Sequence, residues 1–383
     1  MNSLKNSKLM LAAIVLFLSA ACAYSYPPDN AAVLYYKAAM LYEVDGEMAD
    51  MLEDFQKDKI ELNDKIREFV KKNLRIINTV LDASEVKNCD WGMDFSRGMA
   101  MEFPPLSSLR KLARLVIAEA KILAAEGDYE AAISHCLSLY KMARHINDRI
   151  YISYLVGIAI NALTNDCITQ IMAEMPQDVQ SLTQLKNQLI EIDSIPLSVK
   201  PAILGERELE LGVMTLEQIP VLVRFCDPNE SVKEKVLSLD QNAIDRNREY
   251  LNDYFTGVIA GFDMPYVEGY ATLMDLAKKI EKDVKSNPDV ILTAVLAPAT
   301  HKIFSLKTRF ETHNNAIKTA LELYLIKART GKLPDELPAG LPKDLFSGED
   351  FEYEKTADGF ILRCRGKDLG RDEIYEYEFK VKQ

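Results

Sequence analysis

The sequence predicts a mainly α protein, an irregular α-helical stack followed by a small C-terminal α+β module in which one helix lies on a three-stranded antiparallel meander. Three observations predict it. Apolar residues recur at helical spacing from Asp29 to about Asn314 with no convincing alternating strand. After about residue 350 the period changes to two. The composition, 48% hydrophobic and 27% charged over 383 residues, is that of a folded chain long enough for two domains.

The chain opens with MNSLKNSK, then LMLAAIVLFLSAACAYSYPPDN. Lys5 and Lys8 precede an apolar run, and small residues follow, closed by Pro27 and Pro28. This is the pattern of a secretory signal, expected over residues 1–23 and cut after Ala23 or Ser25. The apolar run is shorter than the roughly 18–20 residues of a membrane-spanning helix. Around Cys22 the sequence resembles a bacterial lipobox, but Ser19 stands where that motif has Leu and Leu18 lies one residue upstream. Membrane attachment is therefore expected only through an uncleaved signal or a lipidated Cys22.

Removing the signal deletes Lys5 and Lys8 and no acid, so the formal charge of −12 becomes −14. Such acidity argues against nucleic acid, which needs clustered Lys and Arg. The five remaining cysteines, Cys89, Cys136, Cys167, Cys226 and Cys364, are widely spaced and define no disulfide framework or zinc site.

Residues 29–312 form the expected stack. Asp29 or Asn30 caps a first helix with Val33, Tyr36, Ala39 and Met40 at helical spacing. A long amphipathic helix is expected over Asp58–Leu81, with Ile60, Ile66, Phe69, Val70, Ile76, Ile77, Val80 and Leu81 as its stripe. The loop NCDWGMDFSRGMAMEFPPLSS leads to two helices, Leu106–Glu126 and Tyr129–Asn147, separated by Gly127 and Asp128. Ile150–Met172 is apolar almost all round, and Asn161, Asn165 and Asp166 make it a buried helix in preference to a membrane span. Helices then follow over Leu182–Ile192, from Lys200, and over residues 230–254, and a helical stretch after that bends at Gly261 and Pro265.

Ala118–Ile146 resembles the core of a tetratricopeptide repeat. Gly127, Tyr129 and Ala132 take the positions of the turn glycine, the covering aromatic and the small residue that lets two helices approach. Val116, Glu119 and Ala120 depart from that pattern, and no 34-residue period continues. The resemblance implies a tetratricopeptide-like hairpin stack without a regular superhelix.

The last module is expected over residues 313–383. Asn314 and Asn315 precede a helix that stops at Gly331 and Pro334. Phe351 and Tyr353, then Phe360, Leu362 and Cys364, then Tyr375, Tyr377, Phe379 and Val381 give three alternating strands. ALELYLIKARTGKLPDELP, LPKDLFSGEDFEYEKTADGFIL and RGKDLG resemble the globular part of type II secretion pseudopilins. That family's apolar stalk is missing, so polymerisation is not implied. In the family the last loop can bind calcium, and here Asp368, Asp372 and Glu373 are the oxygen donors, in a loop short enough to be a simple solvated turn. The whole arrangement also resembles uncharacterised exported bacterial proteins, which supplies no activity.

No HExxH, GxSxG, GxxxxGK[ST] or strand-based GxGxxG is present. His135, His145, His301 and His313 share no ligand-forming turn, and no cofactor or metal site is expected. Glu206 and Glu210 share a helix face, with Glu208 beside them, which marks solvated surface more readily than a catalytic carboxylate pair. The candidate binding residues are Asp90, Trp91 and Asp94, where the only Trp lies between two carboxylates on a long loop. The competing reading makes Trp91 and Phe95 anchors of that loop. The expected function is an exported, non-catalytic scaffold of the cell envelope with a protein or glycan partner. The alternatives are an envelope hydrolase using groove carboxylates or a component of a secretion or surface-assembly apparatus.

Overall fold

The computed structural model describes residues 29–147, 149–226 and 228–382, so the predicted signal and Cys22 lie outside the described residues. The chain is mainly helical with one small antiparallel sheet at its C-terminal end.

The first layer comprises α1 (Ala31–Leu41), α2 (Gly46–Gln56), α3 (Asp64–Lys72) and α4 (Leu74–Glu85). Each of the first three starts at an Asn or Asp whose side chain accepts an N–H of the first turn, namely Asn30, Asp45 and Asn63. The long helix expected over Asp58–Leu81 is two helices. Asn73 interrupts it, because its side-chain amide donates to the Phe69 carbonyl at 2.8 Å and competes with the backbone ladder. Asp58 stands outside both, at φ 52. The first helix buries the other face from the one the periodicity favours. Leu34, Tyr35 and Ala38 point inward, while Val33 is 47% and Met40 83% exposed. Both faces of α1 are apolar, and contact with α4 and with Trp91 decides between them.

The centre is α5 (Leu106–Ala125), α6 (Tyr129–Ile146) and α7 (Tyr151–Glu174), packed against one another. Gly127 adopts φ +86 in the α5–α6 turn and Ala132 is fully buried, as the helix-pair reading requires. By length and composition α7 would cross a membrane, yet here it is a core helix. Its buried Asn165 accepts the Tyr140 hydroxyl at 2.8 Å and donates to the half-buried Asn314 at 2.8 Å, tying α6, α7 and the C-terminal helix together.

The outer helices are α8 (Val179–Asp193), α9 (Lys200–Val213), α10 (Ile219–Cys226), α11 (Glu230–Leu237), α12 (Gln241–Phe262), α13 (Tyr266–Asp283) and α14 (Ile291–Leu296). The expected helix over 230–254 is divided at Ser238–Asp240, where Asp240 caps α12. At the α12–α13 crossing Gly261 and Gly269 bring the backbones together, and a Cβ on Gly269 would lie 2.4 Å from the Gly261 carbonyl.

One helix, α15 (Thr300–Thr330), runs through Asn314 and Asn315 without a break and ends at Gly331, φ 81. It packs along α7, α8 and α13 and also carries the sheet β1 (Glu352–Lys355), β2 (Gly359–Arg363) and β3 (Glu376–Lys380), in order β1-β2-β3. Phe360, Leu362 and Phe379 face the helix, with Phe360 stacked on Phe379 at 5.3 Å and edge-on to Tyr324. The buried Asp344 carboxylate organises the lead-in to the sheet. It accepts the N–H groups of Phe346, Arg365 and Gly366 and the Ser347 hydroxyl, at 2.7–2.9 Å.

Candidate functional site

Trp91 is only 5% exposed. Its ring lies 5.8 Å from that of Tyr35 in a stacked arrangement, Tyr36 meets it edge-on, and the indole N–H donates to the His145 carbonyl at 2.7 Å. Asn30 fixes the loop at its base by accepting the Asp90 N–H and donating to the Asp90 carbonyl, both at 2.8 Å. The Asp90 carboxylate accepts the Gly92 N–H. Asp94 accepts the Ser96 N–H and hydroxyl, bonds that hold its carboxyl below the usual range. The predicted trio is thus a loop anchor with two local turn caps, and the indole is covered by aromatic neighbours. Phe95 carries the Arg149 guanidinium 4.5 Å above its ring.

The carboxylates of α9 separate by environment. Glu208 pairs with Arg149 at the surface. Glu206 accepts the Tyr151 N–H at 3.0 Å and so caps the start of α7, with burial nonetheless raising its carboxyl. Glu210 is 4% exposed and neither oxygen has a hydrogen-bond partner among the described residues. Burial, then Glu206 nearby, pushes its carboxyl well above the ordinary value. The solvated face expected for this pair is interior.

The calcium-loop residues also divide. Asp368 turns inward and accepts the hydroxyls of Tyr266 and Tyr375 at 3.0 and 3.1 Å, docking the module on α13. Asp372 pairs outward with Lys367, and Glu373 is exposed. Among the described residues no group of three or more His, Cys, Asp or Glu is arranged to hold a metal ion.

What the structure does assemble is a groove of about 850 Å³ between α7, the first half of α15 and β3, closed at one side by Gln56–Asp58. That volume is in the range of ligand-binding clefts. Its floor is apolar, with Leu155, Ile158, Ala162 and Leu163 from one helix and Leu306 and Phe310 from the other. Three polar atoms of its lining residues, Gln56 Nε2, Thr169 Oγ1 and Gln170 Oε1, are buried and find no hydrogen-bond partner among the described residues. The titratable groups respond to the confinement. Asp166 reaches the solvent of the groove, but surrounding protein and then Asp58 raise its carboxyl to about 6. Burial lowers His313, stacked at 4.8 Å on Tyr377, to about 4, so its ring is neutral. Asp58 is held at the rim by Lys121 and Gln170.

Sequence reasoning missed this site because its walls are some 200 residues apart in the chain, on α7 and β3. The signal that could have found it is Asp166, an acid on an otherwise apolar face of a core helix. No family model, no curated protein and no solved structure matches this chain.

Proposed function

We propose that this chain is an exported, non-catalytic interaction protein of the cell envelope, and that it holds an extended protein segment in the groove between α7 and β3. The observation that carries this reading is the groove itself, about 850 Å³ with an apolar floor between two helices and the edge strand β3. A protein partner is favoured over a glycan because sugars are held on open aromatic faces. Here Trp91 is buried, Tyr377 is covered by His313, and the Tyr375 ring lies under Arg309 at 5.8 Å. A hydrolytic reading has less support, since the carboxylate pair singled out for it, Glu206 and Glu210, does not line the groove, and of the acids that do, Asp58 is paired with Lys121 and Glu376 with Arg363. An assembly role has less support as well, because α15 packs along α7, α8 and α13 and is not free to join a filament.

The test is fluorescence polarisation of labelled ten-residue peptides and labelled oligosaccharides with the purified chain and with Ala162→Arg, which places a long charged side chain on the groove floor. Peptides bind the unaltered protein and are lost from the variant. Binding of oligosaccharides alone, or peptide binding indifferent to Ala162→Arg, overturns the reading.

A further inference from the structure

We infer that the groove takes its partner by strand addition: an extended segment pairs with the free edge of β3, alternating apolar residues toward the helical floor with basic residues toward Glu378. This rests on the groove being a protein-binding site and names the chemistry of the segment.

The pairing of β2 and β3 fixes which backbone groups are free. Cys364 N–H donates to the Tyr375 carbonyl and Val381 N–H to the Asp358 carbonyl, both at 2.8 Å. With Leu362 opposite Tyr377 and Phe360 opposite Phe379, the odd-numbered residues of β3 exchange hydrogen bonds with β2. Glu376 and Glu378 therefore aim their N–H and C=O groups away from the sheet. Both line the groove, and among the described residues neither backbone finds another partner. Farther along, the edge is occupied. Tyr324 and Gln177 donate to the Lys380 carbonyl at 2.6 and 3.3 Å, and Lys382 N–H donates to Gln177. The open stretch is thus short and bounded, a template for one strand and not for continuing aggregation.

The side chains set the sequence of that strand. Successive residues of an added strand point to opposite faces of the sheet. On the α15 side they meet Leu306, Phe310 and the apolar floor of α7, which suits Val, Leu or Ile. On the other side they lie beside Glu376 and Glu378. Glu376 is already paired with Arg363 at 2.7 Å, whereas no ion pair to Glu378 is formed among the described residues. A Lys or Arg opposite Glu378 supplies the cross-strand partner.

The experiment uses the full chain and three labelled decapeptides: one alternating Leu and Lys, the same residues with N-methyl groups on the amides of both edges so that neither edge can pair, and one alternating Leu and Glu. Strand addition predicts binding of the first, loss on N-methylation, and little binding of the third. Glu378→Lys, an exposed substitution that leaves the core untouched, weakens the Leu/Lys peptide about fivefold and strengthens the Leu/Glu peptide. On binding, the amides of Glu376 and Glu378 become protected from hydrogen exchange. If peptides bind and Ala162→Arg abolishes binding, but N-methylation and Glu378→Lys change nothing, strand addition is wrong and the groove reading stands. If no peptide binds, both are wrong.

Discussion

Trp91 is the only tryptophan in the chain, so its fluorescence reports on one place. Replacing it with Ala removes a side chain that stacks on Tyr35, meets Tyr36 and bonds the His145 carbonyl. Large-to-small changes of a buried aromatic cost about 3–5 kcal/mol. An unfolding entropy of about 2.1 cal/mol/K per residue over roughly 350 residues gives about 0.7 kcal/mol per degree. Trp91→Ala therefore lowers Tm by about 4–7 °C. Trp91→Phe keeps a ring but strands the carbonyl, at about 1–3 kcal/mol and hence about 1–4 °C. Circular dichroism melts measure both, and the emission spectrum of the unaltered protein is the companion assay. A buried indole emits at shorter wavelength than the same residue in the urea-unfolded chain. Should native and unfolded emission coincide, or Trp91→Ala melt within a degree of the unaltered protein, Trp91 is an exposed binding platform and the anchor reasoning is refuted.

Three further outcomes follow from the same packing. Glu210 is buried with its carboxyl raised, so the folded state holds its proton over a range where the unfolded chain has lost it. Stability from this group is full below the unfolded value near 4.5 and falls as pH rises toward the folded one, so Glu210→Gln stabilises the protein by about 1 kcal/mol or more at neutral pH and flattens that slope, read from urea midpoints at pH 5 and 8. Asp344→Ala leaves three backbone N–H groups without their acceptor and costs about 3 kcal/mol or more, seen as early hydrogen exchange in residues 344–366 while α5–α7 stay protected. Gly269→Ala pushes a methyl against the Gly261 carbonyl and the Phe304 ring and lowers stability by about 1–3 kcal/mol in the same melts, whereas Gly46→Ala, in open space, changes little.

The helices between Leu106 and Asp193 were legible in the sequence because their stripes are long and the α5–α6 turn is marked by Gly127 and Asp128, whereas the break at Ser238–Asp240 and the unbroken run of α15 through Asn314 were not. The strands were legible too, from Phe360, Leu362 and Phe379 alternating with charges. What could not be read was where a weak signal met a competing one. Asn73 reads as an ordinary polar position until its amide is seen to bond Phe69. In α2 only Met48, Met51, Leu52 and Phe55 carry the helical period, among many acids. The loop of Asp90, Trp91 and Asp94 is conspicuous in sequence for a reason internal to the fold, since an indole is a large anchor with one bond to make. Burial of Glu210 contradicts its surroundings in the sequence, where Glu206 and Glu208 flank it, because α7 and α12 cover that face of α9. The groove needs the third dimension altogether.

The central claim is that a protein segment occupies the space between α7 and β3. It is tested most directly by placing a photo-crosslinking amino acid at Ala162 or Glu378 in the full chain, irradiating the cells that make it, and identifying adducts by mass spectrometry. The account predicts a polypeptide joined at both groove positions through an extended segment rich in alternating apolar and basic residues, and none at Ile190, which is exposed on α8. Adducts equally frequent at Ile190, or none at Ala162 and Glu378, would contradict it.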